Sequence, residues 1–246
     1  MISTSPCHFK GAWTYHDVPG AFARALSELV ERITIATHAL SSSTGVACHL
    51  SSEQAARVAA WEYLERNLAR LSYSERRPVV AIASPFASLE RHGLKSSTYC
   101  VAKVAAGHCA VCLIDGRTSL HRPFEISVGH GFHAEIEEAA RHAGIEALRT
   151  CASLMFGDQQ TSLVRPVGLA LPPGELWTDS AKKILASDPV VAQDVRAHIE
   201  KRSTAGTTVF AALNWPAPQS QMQSSLLQIP SQLNADFLFV ARAERA

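Results

Sequence analysis

GVACHLSSEQAARVAAWEYLER, residues 45–66, is nearly repeated at GHGFHAEIEEAARHAGIEALR, residues 129–149. The two stretches align without a gap, pairing Gly45 with Gly129, His49 with His133, Glu53 with Glu137, Ala59 with Ala143, Glu62 with Glu146 and Leu64 with Leu148. A strand or turn at the glycine, a capping serine or acid, and then alanines at helical spacing make each copy a strand-to-helix unit. Gly11 stands before Glu28 at the same spacing as Gly45 before Glu62 and Gly129 before Glu146, and Ala21 and Ala25 match Ala55 and Ala59. A third, more diverged copy is therefore expected near the start of the chain.

Around this repeat, Phe22, Leu26, Leu29, Val30 and Ile33 predict a helix over residues 19–36. A second helix is expected from Ser51 and Ser52 to Leu68 or Leu71. PVVAIASPF, SSTYCVAKVAAGHCAVCLIDGRTSL and RPFEISVGHG read as strands, with Asp115-Gly116 as a hairpin turn. Residues 135–150 are again helical, and RTCASLMFG either extends that helix or forms a return strand. Two short helices divided at Asp188-Pro189 follow, then a Pro-, Gln- and Ser-rich loop over residues 216–231 and a last strand in DFLFVARA. The alternation predicts one α/β domain over residues 1–246, a mixed sheet with packed helices built from repeated strand/turn-helix units.

The chain has 246 residues, 47% of them hydrophobic, and a formal net charge of +1, so a sizeable core is affordable and no general attraction to polyanions operates. No nucleic acid is expected as partner. No apolar run approaches a membrane span and no secretory leader is seen, so the expected place is the cytoplasm, without membrane partners. The six cysteines are scattered through apolar segments, which favours reduced thiols.

The helix ends carry the chemistry. ALSELVER and AAWEYLER present Glu28/Glu31 and Glu62/Glu65 three apart on one helix face, whereas AGIEALRT presents Glu146 and then Arg149. Adjacent carboxylates repel unless a cation sits near them, and Mg²⁺ is held by one or two carboxylates together with phosphates and water. Glutamates from separate helices could hold Mg²⁺ against a nucleotide, with Arg32, Arg66 or Arg149 on the phosphate oxygens. A single ExxER is common on solvated helices. Its repetition at a fixed distance from a glycine is what favours a site over surface decoration.

These residues resemble the YcaO-domain family, whose repeated signature runs from a glycine through alanines to A-L-x-E-x-x-E-R. GVACHLSSEQAARVAAWEYLER looks like the first such signature and SVGHGFHAEIEEAARHAGIEAL like the later one, with His142 before the alanine and glutamate. The likeness is clearest over residues 40–150 and is that of a half-length or divergent member, similar to trifolitoxin-processing proteins. It implies metal contacts for Glu62, Glu65 and Glu146, and cofactor contacts for these and for Arg66 and Arg149, with ATP and Mg²⁺ as cofactors. It further implies cyclodehydration of a ribosomally made precursor peptide: a Cys, Ser or Thr side chain joins the preceding amide carbonyl, whose oxygen leaves as phosphate, giving thiazoline or oxazoline. A partner protein or a homo-oligomer is expected to complete the machinery. The alternative is a non-catalytic YcaO-like subunit or scaffold. Ala59 stands where the family usually has a serine, and Arg149 replaces a second acid, or a glutamine if this copy matches the family's last signature.

Other constellations read more plainly. Cys109 and Cys112 lie three apart on an expected strand, so they point to opposite faces and cannot share a metal. His133-Ala134-Glu135 imitates a zinc-deaminase triplet without the downstream cysteine pair. A Cys-dependent hydrolase using Cys100, Cys109 or Cys151 with His108 or His142 is a third reading, since an imidazole can activate a thiol.

Overall fold

Alanine patterning and strand alternation decide how the elements stack. In a computed structural model of the chain, residues 18–40, 44–75, 77–116, 124–156, 189–201, 203–204, 222–229 and 238–245 are described. They group into two compact units, Met1–Tyr63 with Gln221–Ala246, and Leu64–Ser220. Helix α2, Ser52–Ser74, runs through the division point, so its early turns count with the first unit and its last with the second.

The first unit is built on a three-stranded antiparallel sheet. Strand β1 (Val46–His49) pairs with the terminal strand β8 (Phe239–Arg245), which pairs with β7 (Met222–Leu227). Helix α1 (Val18–Thr37) covers one face: Val30 packs with Val46, Cys48, Leu238 and Val240. The period-two alternation of the strands turns Ala47, Ala241 and Ala243 to the other face, where Ala55 and Ala59 of α2 meet them. Small side chains on both sides bring helix and sheet close. Gly45 opens the unit at φ 75°, a left-handed conformation that glycine adopts without penalty, and a Cβ there would meet the Ala243 carbonyl at 2.6 Å.

The second unit is a five-stranded sheet in the order β5-β4-β3-β2-β6. Its strands are β2 (Val79–Ile82), β3 (Lys95–Val104), β4 (Gly107–Asp115), β5 (Ile126–His133) and β6 (Ser203–Thr204). All neighbours are antiparallel except β2 and β6. A short 3-10 helix, Ala87–His92, precedes β3. Helix α3 (Ile136–Phe156) lays Ala139, Ala143, Ala147 and Cys151 on Ala110, Cys112 and Ile114 of β4. Helix α4 (Pro189–Glu200) is tied to the end of β4 by Arg196, whose Nη2 lies 3.2 Å from Asp115 Oδ2, both side chains nearly buried.

Several expectations need correction. One mixed sheet was expected, but the described residues form two, because β1 finds its partners in the C-terminal strands and not in the central ones. Asp115-Gly116 is not a tight turn: Asp115 pairs with Ile126, and the Gly116 N–H donates to the Glu125 carbonyl at 3.2 Å. The tight turn lies at residues 105–106 between β3 and β4, where Val104 pairs with Gly107. Register across a buried sheet overrides the local preference of Asp-Gly. Within the expected loop 216–231, residues 222–227 form β7, since a ladder is made by backbone groups and tolerates polar side chains on an exposed strand. RTCASLMF extends α3. The helix expected before Pro189 and the segment around Gly206 lie outside the described residues. Among the described residues, no helix is long and apolar enough to cross a membrane.

Candidate functional site

Among the described residues β5 is an edge strand, so some of its backbone N–H groups point away from β4 and take a partner from elsewhere. The His130 N–H donates to Glu146 Oε2 on α3. Helix α3 can reach this edge because Gly129 and Gly131 carry no Cβ: at both positions an added Cβ would run into the α3 backbone around Ala139, Ala143 and Ala147. The repeated glycine thus serves different ends in the two copies, a left-handed turn at Gly45 and helix-to-strand contact at Gly129.

The other Glu146 oxygen meets α2. Arg66 Nη2 donates to Glu146 Oε1 at 2.9 Å, and Arg66 Nε lies 3.6 Å from Glu65 Oε1. His130 Nδ1 stands 3.4 Å from Arg66 Nη1 and 3.5 Å from Glu146 Oε2. Arg66 and Glu146 keep 25% and 23% of their side-chain surface, so the pair is accessible to a ligand, while the His130 side chain is wholly buried. Charge-assisted hydrogen bonds of this kind are each worth about 1.5–3 kcal/mol. The Cys109 thiol, on the face of β4 away from α3, reaches the Glu65 carbonyl at 3.7 Å.

Three of the five candidate residues, Glu65, Arg66 and Glu146, are therefore brought together. Glu62 lies one turn before Glu65 on α2, half-buried and counted with the first unit, and Arg149 is exposed one turn beyond Glu146 on α3. In the diverged copy, Gly11 lies outside the described residues; Glu28 Oε1 accepts from Arg32 Nη2 at 2.8 Å, and Glu31 Oε1 accepts from the Cys48 N–H at 2.6 Å. Glu31 thus does for an N–H of β1 what Glu146 does for an N–H of β5. Burial pushes its carboxyl up to about 7 against the pull of that hydrogen bond.

Among the described residues, no three His, Cys, Asp or Glu side chains converge as a metal cage. Two carboxylates about one arginine instead suit a Mg²⁺ that arrives with phosphates, which supply the remaining oxygens. The three thiols considered for a hydrolase do not suit a nucleophilic role: burial pushes Cys100 up to about 12, Cys151 up to about 11 and Cys109 well above its ordinary value, the reverse of thiolate activation. Cys112 faces α3 while Cys109 faces α2, as their spacing on a strand requires. His133 Nδ1 accepts from the Glu135 N–H at 3.1 Å, a local turn contact.

Sequence reasoning missed His130. Its counterpart in the first copy is Val46, so the repeat is silent about it. The signal available was Gly129-His130-Gly131, a polar side chain between two glycines in an otherwise apolar strand.

No family model matches the sequence, and no curated protein matches it. Solved structures do. A chain of the E. coli microcin synthetase McbBCD complex, solved with pro-MccB17 bound, superposes with a TM-score of 0.54 at 10% identity, over 82% of this chain and 53% of that one. YcaO from Methanopyrus kandleri, solved with AMPPCP and Mg²⁺, gives 0.47 at 13% identity over 83% and 55%. The chain thus spans about half the length of the synthetase chain it resembles. The fold resembles that of the microcin synthetase chain, and at such identity the likeness is one of fold.

Proposed function

We propose that this chain takes part in the ATP- and Mg²⁺-dependent cyclodehydration of a ribosomally made precursor peptide to a thiazoline or oxazoline, as part of a complex. The observation that carries the reading is Arg66 braced between Glu65 and Glu146 at matching places midway along two repeated helices. In this reading Glu62, Glu65 and Glu146 hold Mg²⁺ through hard oxygens, and the Arg66 fork, joined by Arg149, holds phosphate oxygens. Bound ATP would supply the phosphoryl group that lets the amide oxygen depart. The chain's own task is to orient the nucleotide, with α2 and α3 as rigid supports. Likeness in fold to a chain of the McbBCD complex, solved with pro-MccB17 bound, supports assembly with a partner and action on a peptide.

A second reading, a non-catalytic YcaO-like subunit, has one observation in its favour. The Arg66 guanidinium already supplies Glu65 and Glu146 with the positive charge that Mg²⁺ would bring. Calorimetry separates the two. Mg²⁺-ATP should bind the parent, alone or with its partner, and Glu62→Gln/Glu146→Gln should weaken binding at least about tenfold, since Gln keeps the shape and the His130 N–H acceptor but loses the charge. A parent that takes up no nucleotide under either condition leaves the subunit reading standing.

A further inference from the structure

We propose that His130 is a positioning residue for the Arg66/Glu146 pair; for its effect on nucleotide, this rests on the reading above. Two parts of one residue act on the pair. The main-chain N–H donates to Glu146 Oε2, and ring Nδ1 lies 3.4 Å from Arg66 Nη1. A guanidinium can only donate, so in the Arg66 contact Nδ1 is the acceptor; the same nitrogen lies 3.5 Å from Glu146 Oε2. The carboxylate is then held by the main chain and the arginine by the ring.

The placement follows from the strand. Gly129 and Gly131 lie against the α3 backbone, so His130, between them on β5, turns its side chain to the opposite face, where it is wholly buried. Filling that space requires only an apolar group, and Ile126, Val128 and Phe132 do so at neighbouring positions of β5. A ring nitrogen aimed at Arg66 does more than fill space. It restrains a long side chain that otherwise samples many rotamers, and keeps the fork of donors between Glu65 and Glu146. Partners that orient ligand-binding side chains in this way change affinity by about 10–100-fold when removed.

The test compares His130→Leu, His130→Asn and His130→Gln with the parent, using circular dichroism to establish folding. The Asn amide lies near the position of Nδ1, whereas the Gln amide lies one carbon farther out and Leu has none. Proton exchange at Arg66 Nε–H, followed by NMR without nucleotide, reads positioning directly. It should quicken about tenfold or more in the Leu and Gln variants and stay within about threefold of the parent in Asn, with Mg²⁺-ATP affinity following the same order. Should Leu fail to fold, the contrast between Asn and Gln decides. Equal exchange in Asn and Gln, or unchanged exchange in a folded Leu variant, overturns the proposal. If exchange follows the predicted order while the parent binds no Mg²⁺-ATP, positioning stands and the nucleotide reading falls.

Discussion

Glu31 is half-buried on α1; among the described residues the Cys48 N–H at 2.6 Å and the Arg32 charge offset its burial, opposed by Glu28. The neighbouring Cys48 thiol is itself pushed up to about 11 by burial and by Glu31. Glu31 titrates near 4.5 when unfolded and near 7 when folded, so between those values the native state keeps a proton that the unfolded chain has lost. Its contribution to stability is thus full below about pH 4.5 and lost as pH rises through 7. Glu31→Gln cannot ionise and retains an oxygen for the Cys48 N–H. Relative to the parent, it should gain roughly 2–3 kcal/mol between pH 5 and pH 8. Urea unfolding at the two pH values checks this; parallel loss in both proteins would clear Glu31 of the effect. Glu28 and Glu31 illustrate what the repeat hides, since equal spacing placed both on one helix while burial gave them unlike partners.

At the scale of elements, the contact between α3 and β5 holds the candidate site together. Gly131→Ala would place a Cβ 2.6 Å from the Ala143 N and closer still to the Ala139 carbonyl, both parts of helical backbone that cannot turn aside. A loss of about 2–3 kcal/mol is expected, read as a lower urea midpoint, together with weaker Mg²⁺-ATP binding as Glu146 is lifted from the strand edge. A neutral outcome would mean that α3 slides freely on β5. The helices themselves were legible: capping residues, alanine spacing and the repeat located α2 and α3 to within a few residues. The turn at residues 105–106 was not, because Ala105 and Ala106 carry no turn preference and only the register of β3 on β4 selects them.

For the whole molecule, long-range pairings set which segments belong together. Arg196 of α4 pairs with Asp115 and also donates to the Glu125 carbonyl at 3.5 Å, joining segments far apart in sequence. Arg196→Met keeps much of the apolar stem but removes the nearly buried ion pair with Asp115, so a loss of about 3 kcal/mol is expected in thermal or urea unfolding. Arg196→Met/Asp115→Asn should recover part of it. If the double variant is no better than the single one, the pair contributes by packing and not by charge.

Periodicity and repetition in the sequence determined the strand-to-helix units and the helical placement of Glu62, Glu65, Arg66 and Glu146, because these depend on spacing along one chain. Tertiary structure alone decided that β1 joins the C-terminal strands, that Arg66 lies between Glu65 and Glu146, and that His130 bears on both partners of the pair. Those facts depend on which edges and faces meet across long stretches of chain, and local preference carries no record of that meeting.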